Sequence, residues 1–389
     1  MRFNKYDLAV ISPGYSHYNF HFIDELNKLS VRGYNIKVVF IRGIRENTDF
    51  YSYHNINDNL VIKSCNFKGL RVNHYSLFQA LNLFLILLKT LVQSKSILTS
   101  TQAPLHSKFA YIISRLLIKR LAIIVEQWED YETKSFFMKS YKQFGYYLIK
   151  TAHTVFVHGK AQENFVSDFL KRKKRVEILP FLSKSTNTNK NFGKNRNIIT
   201  ILYFGRITEQ KGLDILIQAY NLISTNQKTK LLICGGVDEN FFWESEESKN
   251  FLKYCKELAK TNQSIVFKGH VKPEQKDEFF GQADIFVHPH KLFKNKSDGW
   301  GLVVNEALSN GLPIIITNRV GSATTLVKHN KNGYIIEPSD INQLKRKLEV
   351  LIENEDLRKN FSNFSLDIFK EYHKPSRQGE LIESFILKK

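Results

Sequence analysis

The sequence is poor in cysteine. Its three cysteines, Cys65, Cys234 and Cys255, are widely separated along the chain. This spacing offers neither a disulfide framework nor a set of metal ligands. No hydrophobic signal segment is recognisable at the N-terminus either. These absences indicate a protein of the reducing cytosol.

Long apolar runs are also missing. The longest, from Ala80 to Val92, is interrupted by Asn82 and Lys89. It is about thirteen residues long, whereas a membrane-spanning helix needs about twenty. We therefore predict a core or interfacial helix at this position rather than a spanning one.

Acidic residues are scarce relative to basic ones. The chain of 389 residues carries 57 Lys and Arg against 37 Asp and Glu, a net charge of +20. The excess is uneven, because residues 1–180 hold 26 basic and 13 acidic side chains. A basic N-terminal half suits a polyanion or an anionic membrane surface. The alternative is a general bias of the sequence towards lysine, isoleucine and asparagine.

The chain does contain, twice over, an alternation of short apolar runs with helical patterns. This alternation predicts parallel sheets covered by helices on both faces, hence two doubly wound α/β domains. Predicted strands are 8–12, 34–41, 96–99, 121–125 and 154–157 in the first half, then 198–204, 230–234, 265–267, 285–287, 314–317 and 334–336. Predicted helices are 20–29 and 109–119, then 213–223, 246–259, 273–281, 304–310, 341–352 and 355–370.

The alternation breaks between about residues 171 and 196, where a basic run precedes a segment rich in Ser, Thr, Asn and Lys. We interpret this segment as a linker. The predicted domains are 1–185 and 196–372, and we expect a C-terminal helix, 373–389, to pack back on the first domain. Ligands of such sheets bind beyond the carboxyl ends of the strands, and two facing domains make a cleft.

The most informative motif runs from Asp298 to Leu308 and places Asp298 and Glu306 eight positions apart. Between the two acids lie Gly299, Trp300, Gly301 and Leu302, and the glycines permit close backbone approach to a ligand. A short helix is expected to begin after Gly301, with N–H groups that can hold an anion and with Glu306 about two turns into it. This arrangement suits an elongated ligand with a phosphate in the middle and hydroxyl groups at both ends, such as a nucleotide sugar.

A second motif, from Tyr203 to Asp214, follows the first strand of the second half. It contains Gly205, Arg206, Lys211 and Gly212. Arg206 can grip a phosphate with its planar fork, and Lys211 adds a compact charge. The motif is not a P-loop, because the glycine–lysine–hydroxyl ending is missing. The alternative is a surface loop with solvated charges.

Weaker signals surround these two motifs. Gly235 and Gly269-His270 follow two further strands on the expected ligand side, although tight turns explain such glycines equally well. His288-Pro289-His290 looks like a metal pair but is more typical of a turn. His17 and His21 lack a third metal ligand, and a place in the substrate cleft, near Gly14, suits His17 better.

Together these residues resemble family 4 of the retaining glycosyltransferases, which have the GT-B architecture: two Rossmann-like doubly wound α/β domains facing across a cleft. The resemblance is strongest over residues 198–338. It is carried by Gly205-Arg206 with Lys211-Gly212, Phe267 to His270, Ala283 to Pro289, Asp298 to Ala307, and Gly311-Leu312-Pro313. In the first half it is limited to the strand ending in Pro13-Gly14 and to Gly159-Lys160-Ala161.

The resemblance implies a role for each site residue. Arg206 and Lys211 would neutralise the leaving nucleoside diphosphate, and Glu306 would hold the ribose hydroxyls. Asp298 and the backbone of the four residues after it would hold the donor sugar, and the loop at Gly269 would contact the base. No metal and no cofactor are expected beyond the nucleotide-diphosphate sugar as co-substrate.

Two features of the second half depart from the family pattern. The first acid of the pair is usually Glu, and here it is Asp298, which is one methylene shorter. The loop between Pro289 and Asp298 is also longer than the common form. Where the family often has a histidine after an N-terminal strand, this chain has Glu126-Gln127-Trp128.

The predicted function is transfer of a hexosyl unit, with retention, from a nucleotide sugar to an acceptor hydroxyl. The expected acceptor is a glycan or lipid-linked sugar of bacterial surface polysaccharide assembly, at the inner face of an anionic membrane. Alternatives are an epimerase or a phosphorylase on the same architecture, or a non-catalytic basic binding protein. Nucleic acid is not an expected partner, because its binding would leave the Asp298–Glu306 spacing without a purpose.

Overall fold

The structure is a computed structural model, and it divides the chain into two compact units. The first unit comprises residues 1–184 and 374–389, and the second comprises residues 185–373. The described residues are 4–13, 20–41, 56–65, 77–100, 105–130, 136–170, 176–183, 197–237, 246–292 and 297–388. Within these ranges no helix is long and apolar enough to cross a membrane.

The first unit is built on a seven-stranded parallel sheet of order β3-β2-β1-β4-β5-β6-β7. Its strands are β1 Tyr6–Ser12, β2 Ile36–Phe40, β3 Leu60–Ser64, β4 Ser94–Ser100, β5 Arg120–Val125, β6 Thr154–Val157 and β7 Val176–Ile178. Its helices are α1 Phe20–Val31, α2 Leu77–Val92, α3 Leu105–Leu116, α4 Phe136–Thr151, α5 Lys160–Leu170 and, from the C-terminus, α13 Pro375–Leu387.

Alternate side chains of the first sheet enter two separate cores. Ala9 and Ile11 of β1 lie in a core with residues of α2, α3, α4 and α5. Leu8 and Val10 lie in a second core with residues of α1 and α13. Successive side chains of a strand point to opposite faces, so the two sets of helices cover opposite faces of the sheet.

The second unit is built on a six-stranded parallel sheet of order β10-β9-β8-β11-β12-β13. Its strands are β8 Ile199–Phe204, β9 Thr229–Cys234, β10 Ile265–Gly269, β11 Ile285–His288, β12 Ile314–Thr317 and β13 Gly333–Ile336. Its helices are α6 Leu213–Asn221, α7 Glu246–Ala259, α8 Lys276–Gln282, α9 Val303–Ser309, α10 Ala323–Leu326, α11 Ile341–Glu353 and α12 Glu355–Tyr372. Short 3₁₀ turns lie at Glu209–Lys211 and Pro273–Gln275.

The predicted fold class is confirmed, since both sheets are parallel and covered by helices. Both also have the strand order of a doubly wound fold, in which the direction of winding reverses between two neighbouring strands. In the second sheet those neighbours are β8 and β11. Ligands bind beyond the carboxyl ends of the strands at this switch point, and the two motifs singled out in the sequence lie there.

Part of the segment interpreted as a linker is ordered structure instead. Val176–Ile178 forms the edge strand β7, which pairs in parallel with β6. Leu179 and Leu182, which follow it, are buried. The alternation of the first domain therefore continues to residue 183, and residues 171–175 and 184–196 of the predicted linker lie outside the described residues.

The C-terminal helix α13 belongs to the first unit. Leu381, Ile382 and Phe385 enter the same core as β1 and α1. Arg32, which follows α1, donates to Glu383 at 2.9 Å, and the Gln378 amide donates to the carbonyl of Pro180 at 2.6 Å. The helix is thus held both by apolar burial and by polar contacts.

Candidate active site

Three of the predicted glycines lie side by side at the carboxyl ends of β8, β9 and β10. The Gly205 amide donates to the carbonyl of Cys234 at 3.0 Å, and the Gly235 amide donates to the carbonyl of Gly269 at 2.8 Å. A Cβ on Gly235 would lie 1.8 Å from the carbonyl oxygen of Gly205, and its φ of 145° disfavours other residues. Only glycine lets these two backbones approach so closely.

The loop that carries the predicted phosphate-binding cations follows Gly205. Arg206 is exposed, and its carbonyl accepts a hydrogen bond of 2.7 Å from the Tyr203 hydroxyl. Lys211 ends the 3₁₀ turn, and Gly212 then takes a φ of 68°. A Cβ on Gly212 would lie 2.0 Å from the carbonyl oxygen of Pro289. The loop after β8 is therefore packed directly on the turn after β11.

Asp298 lies against Lys211. Its Oδ2 accepts a hydrogen bond from the Lys211 ammonium and lies 3.1 Å from Nε2 of His288. The side chains of Lys211 and Asp298 are only 13% and 15% exposed. Burial favours the neutral acid, but the Lys211 charge and the His288 hydrogen bond outweigh it and hold the pKa of Asp298 well below its usual range.

The backbone at Asp298 is fixed from the other side. Its amide donates to the carbonyl of Arg319 at 2.9 Å, and its carbonyl accepts from the amide of Gly321 at 3.0 Å. Both partners lie in the loop after β12. The loops after β8, β11 and β12 thus meet at Asp298, where Lys211 holds the carboxylate and the loop after β12 holds the backbone.

Glu306 is held by a residue that the sequence did not single out. Its Oε1 accepts a hydrogen bond of 2.8 Å from Lys276, the first residue of α8, and both side chains are largely buried. Lys276 also lies over the ring of Phe204 at 5.7 Å. Nothing in the sequence marks this lysine, because it is one of several charged residues at the start of a helix.

The helix that carries Glu306 differs from expectation in two ways. It has seven residues, Val303–Ser309, and Glu306 lies in its first turn rather than two turns in. The amides of Val304 and Asn305 donate to the carbonyls of Gly301 and Leu302, both at 2.9 Å. These two N–H groups are therefore engaged within the chain and do not offer the predicted anion site.

Trp300 contributes its side chain to the core rather than to a ligand surface. The indole is 4% exposed, donates from Nε1 to Asn305 at 2.9 Å and stacks on Tyr372 at 5.6 Å. Gly301 has a φ of 77°, and a Cβ there would lie 2.7 Å from a methyl group of Val320. The predicted contact of this stretch with a sugar can therefore involve its backbone but not the Trp300 ring.

The remaining predicted residues have mixed outcomes. His270 is exposed after β10, next to Gly269. Gly14 and His17 lie outside the described residues. His288 and His290 are not part of a metal site in the part of the chain that the structure describes, because no group of three metal-ligating side chains occurs there.

One feature of the first unit was missed. His158, directly after β6, stacks on Phe181 at 4.5 Å and donates a hydrogen bond of 3.0 Å to the Leu179 carbonyl. It borders a cavity of about 80 Å³ at the carboxyl ends of the strands, where Ser12, His21 and Glu126 also lie. The position directly after a predicted strand was the available signal.

Buried neutral histidines should make the protein sensitive to mild acid. Burial lowers the pKa of His158 to about 4, whereas an unfolded chain protonates histidine near pH 6.5. Stability from this group is complete above pH ~6.5 and is lost as pH falls towards ~4, at about 1.4 kcal/mol per pH unit. Urea unfolding at several pH values should show a shallower slope for His158→Gln. The exposed His270→Gln is the control, and an unchanged slope in His158→Gln would contradict the assignment.

Comparison of the sequence with known proteins finds glycosyltransferases. Residues 184–366 match the family described as Glycosyl transferases group 1. Among curated proteins, the capsular polysaccharide biosynthesis glycosyltransferase CapM of Staphylococcus aureus is 26% identical over 240 residues, which cover 57% of this chain and 59% of CapM. An uncharacterized glycosyltransferase of Haemophilus influenzae is 24% identical over 90% of both chains.

Some relatives match over only part of their length. The aligned segment covers 44% of an uncharacterized glycosyltransferase of Methanocaldococcus jannaschii, at 25% identity. With CapM at 59%, the chain spans about half the length of these two relatives.

Solved structures share the whole fold. HepE of Anabaena, determined in complex with UDP, superposes with a TM-score of 0.73 at 17% identity, covering 97% of this chain and 98% of HepE. The sucrose-phosphate synthase of Thermosynechococcus elongatus gives 0.72 at 13% identity, with the same coverage. The chain therefore has the GT-B fold, and its residues 184–366 match a glycosyl transferases group 1 domain.

Proposed function

We propose that the protein transfers a hexosyl unit from a nucleotide-diphosphate sugar to an acceptor hydroxyl, with retention at the anomeric carbon. One observation carries the proposal. At the switch point of the second sheet, Lys211 lies in the loop that follows β8 and is bonded to Asp298, which precedes α9. Arg206 is exposed in the same loop as Lys211.

In the proposed step, the bond between C1 of the sugar and the diphosphate oxygen breaks, and the electron pair goes to the diphosphate. The acceptor oxygen forms a bond to C1 on the same face, and its proton passes to the departing diphosphate oxygen. Charge develops on the diphosphate, so preorganised cations there stabilise the transition state without a metal. An ammonium has three N–H donors, and the Lys211–Asp298 bond leaves two of them for phosphate oxygens.

Glu306 is proposed to bind the ribose. Its hydrogen bond with Lys276 fixes the carboxylate in one orientation. A carboxylate offers about four lone-pair sites, so acceptor capacity remains for ribose hydroxyls. Lys276 thereby becomes a positioning residue for the nucleotide.

The relatives support the donor and the acceptor class. HepE of Anabaena was solved with UDP and with UDP-glucose, which makes a UDP-sugar the first donor to test. CapM is named for capsular polysaccharide biosynthesis, and we propose a related acceptor here, a lipid-linked sugar or surface glycan at the inner face of the membrane. The basic first unit supports an anionic membrane as partner.

Thermal-shift measurements against UDP, GDP, ADP and their sugars test the donor site. A nucleotide at a hundredfold excess over its dissociation constant should stabilise the protein by about 2.7 kcal/mol. The selected donor is then incubated with and without a membrane extract. Release of nucleoside diphosphate only with the extract supports transfer. Epimerised sugar from the donor alone, or stabilisation by none of the nucleotides, would overturn the proposal.

A further inference from the structure

Helix α2 has a solvent-facing side that is apolar. Phe78, Leu81 and Leu85, spaced by three and four positions, are 78%, 55% and 53% exposed. Leu83 and Leu87, on the other side, are fully buried in the core. A surface helix of a globular protein usually carries polar residues on its outer side. The outer side of α2 therefore lacks the composition expected for contact with water.

The helices next to α2 extend this surface. Phe84 of α2 packs edge-on against Phe109 of α3 at 5.4 Å, and Tyr111 of α3 packs against Phe144 of α4 at 5.7 Å. All three helices lie on the same face of the first sheet. Large exposed apolar side chains also occur on these helices: Ile112 and Leu116 on α3, Ile118 two residues after its end, and Phe136 and Tyr147 on α4.

The charge on these helices has one sign. The sequences of α2, α3 and α4 contain no Asp or Glu. Their exposed side chains include Lys89, Arg115, Lys139 and Lys150. The opposite face of the sheet differs, since α1 carries Asp24 and Glu25 and α13 carries Glu380 and Glu383. On the same face as α2, α3 and α4, α5 carries Glu163 and Asp168. The absence of acids is therefore confined to α2, α3 and α4, and the lysine excess of the whole sequence does not explain it.

We propose that this surface, which we call the α2–α4 face, docks on a bilayer containing anionic phospholipid. Its exposed apolar side chains would enter the headgroup boundary, and its basic side chains would contact lipid phosphates. Large exposed apolar patches mark interaction sites, and exposed apolar groups flanked by Lys and Arg match the composition of interfacial helices. A protein partner would need acidic residues to neutralise the face, whereas an anionic bilayer supplies both the charge and the apolar layer.

The α2–α4 face would make the membrane contact of the proposed function, on which its biological role rests. It does not require glycosyl transfer, because the α2–α4 face is in the first unit and the donor residues are in the second. The two can therefore fail separately. The length of α2 agrees with a helix lying in the interface, since its sixteen residues extend about 24 Å.

The test is flotation of the full chain with vesicles of phosphatidylcholine, with and without phosphatidylglycerol. Each basic residue near an anionic surface contributes about fivefold to partitioning. Lys89→Glu/Lys150→Glu should therefore lower binding to the anionic vesicles by at least about 25-fold. Lys253→Glu/Lys256→Glu, the same charge change on exposed positions of α7, should leave binding unchanged.

A second variant separates the apolar contribution from charge. Leu81→Asn/Leu85→Asn keeps every charge and should also reduce binding to anionic vesicles, by tenfold or more from the lost apolar burial. Thermal stabilisation by the donor nucleotide should persist in both α2–α4 variants, which shows that they are folded.

Several results would overturn the proposal. One is that the parent protein floats equally with vesicles that contain and that lack phosphatidylglycerol. Another is that Lys253→Glu/Lys256→Glu loses as much vesicle binding as Lys89→Glu/Lys150→Glu. Sedimentation that shows a dimer broken by Leu81→Asn/Leu85→Asn would assign the face to a second copy of the chain. Oligonucleotide binding that is lost in Lys89→Glu/Lys150→Glu, without vesicle binding by the parent, would assign it to nucleic acid.

Discussion

Replacing Arg206 by alanine is expected to lower the rate of nucleoside diphosphate release by about 100- to 1000-fold while leaving the fold intact. Arg206 is exposed and follows Gly205 at the carboxyl end of β8, beside the switch point of the second sheet. Removing one preorganised donor from developing negative charge typically costs about 2.7–4 kcal/mol of transition-state stabilisation. Because the side chain is exposed, its removal should change stability by no more than about 0.5 kcal/mol.

The controls for Arg206 test charge and shape separately. Arg346→Ala, on an exposed position of α11 in the same unit, removes the same charge and should leave the rate unchanged. Arg206→Lys keeps the charge but loses the planar fork, so an intermediate rate is expected. The measurement is nucleoside diphosphate release with the donor that the thermal-shift screen selects. Parent-like activity in Arg206→Ala would remove this residue from the site.

The regular elements were predictable where apolar runs are continuous and bounded by turn residues. Strands β6 and β12 and helix α7 have the predicted bounds. Strands β3 and β7 were not predicted. Both are edge strands, paired and covered less completely than central strands, so their short sequences need no long apolar run to be stable there.

The candidate site was predictable at the level of which residues gather, because the carboxyl ends of parallel strands share one edge of a sheet. Sequence patterns place Gly205, Gly235 and Gly269 at such ends, and the structure shows them bonded to one another or to neighbouring residues. The partners of the charged side chains were not predictable. Lys276 and Glu306, like Lys211 and Asp298, meet through tertiary packing between distant positions, which no local pattern records.

The second large effect is expected at the Lys211–Asp298 pair. Removing one partner of a buried ion pair leaves an uncompensated charge and typically costs about 3–5 kcal/mol. We expect Lys211→Met and Asp298→Asn each to lower the free energy of unfolding by about 3 kcal/mol, the lower end of that range, because both side chains retain slight exposure. The double variant removes both charges, so its loss should be well below the sum.

A double-mutant cycle in urea unfolding measures this coupling, expected at about 3 kcal/mol. The control cycle uses Lys345 and Glu349, a helical i,i+4 pair at 3.2 Å that is more exposed, with an expected coupling of about 0.3–0.5 kcal/mol. Additive losses at Lys211 and Asp298 would mean that the pair is not coupled.

The charged and hydrogen-bonding neighbours of Asp298 explain why this coupling should persist in mild acid. Because Lys211 and His288 hold the pKa of Asp298 well below its usual range, its contribution is present above the unfolded value of about 3.9 and is lost only as pH falls through the lower folded value. The coupling should therefore be equal at about pH 7 and pH 5, although overall stability falls over that interval as buried histidines are protonated on unfolding. A coupling that falls in parallel with overall stability would show that the histidines, and not the ion pair, hold these loops together.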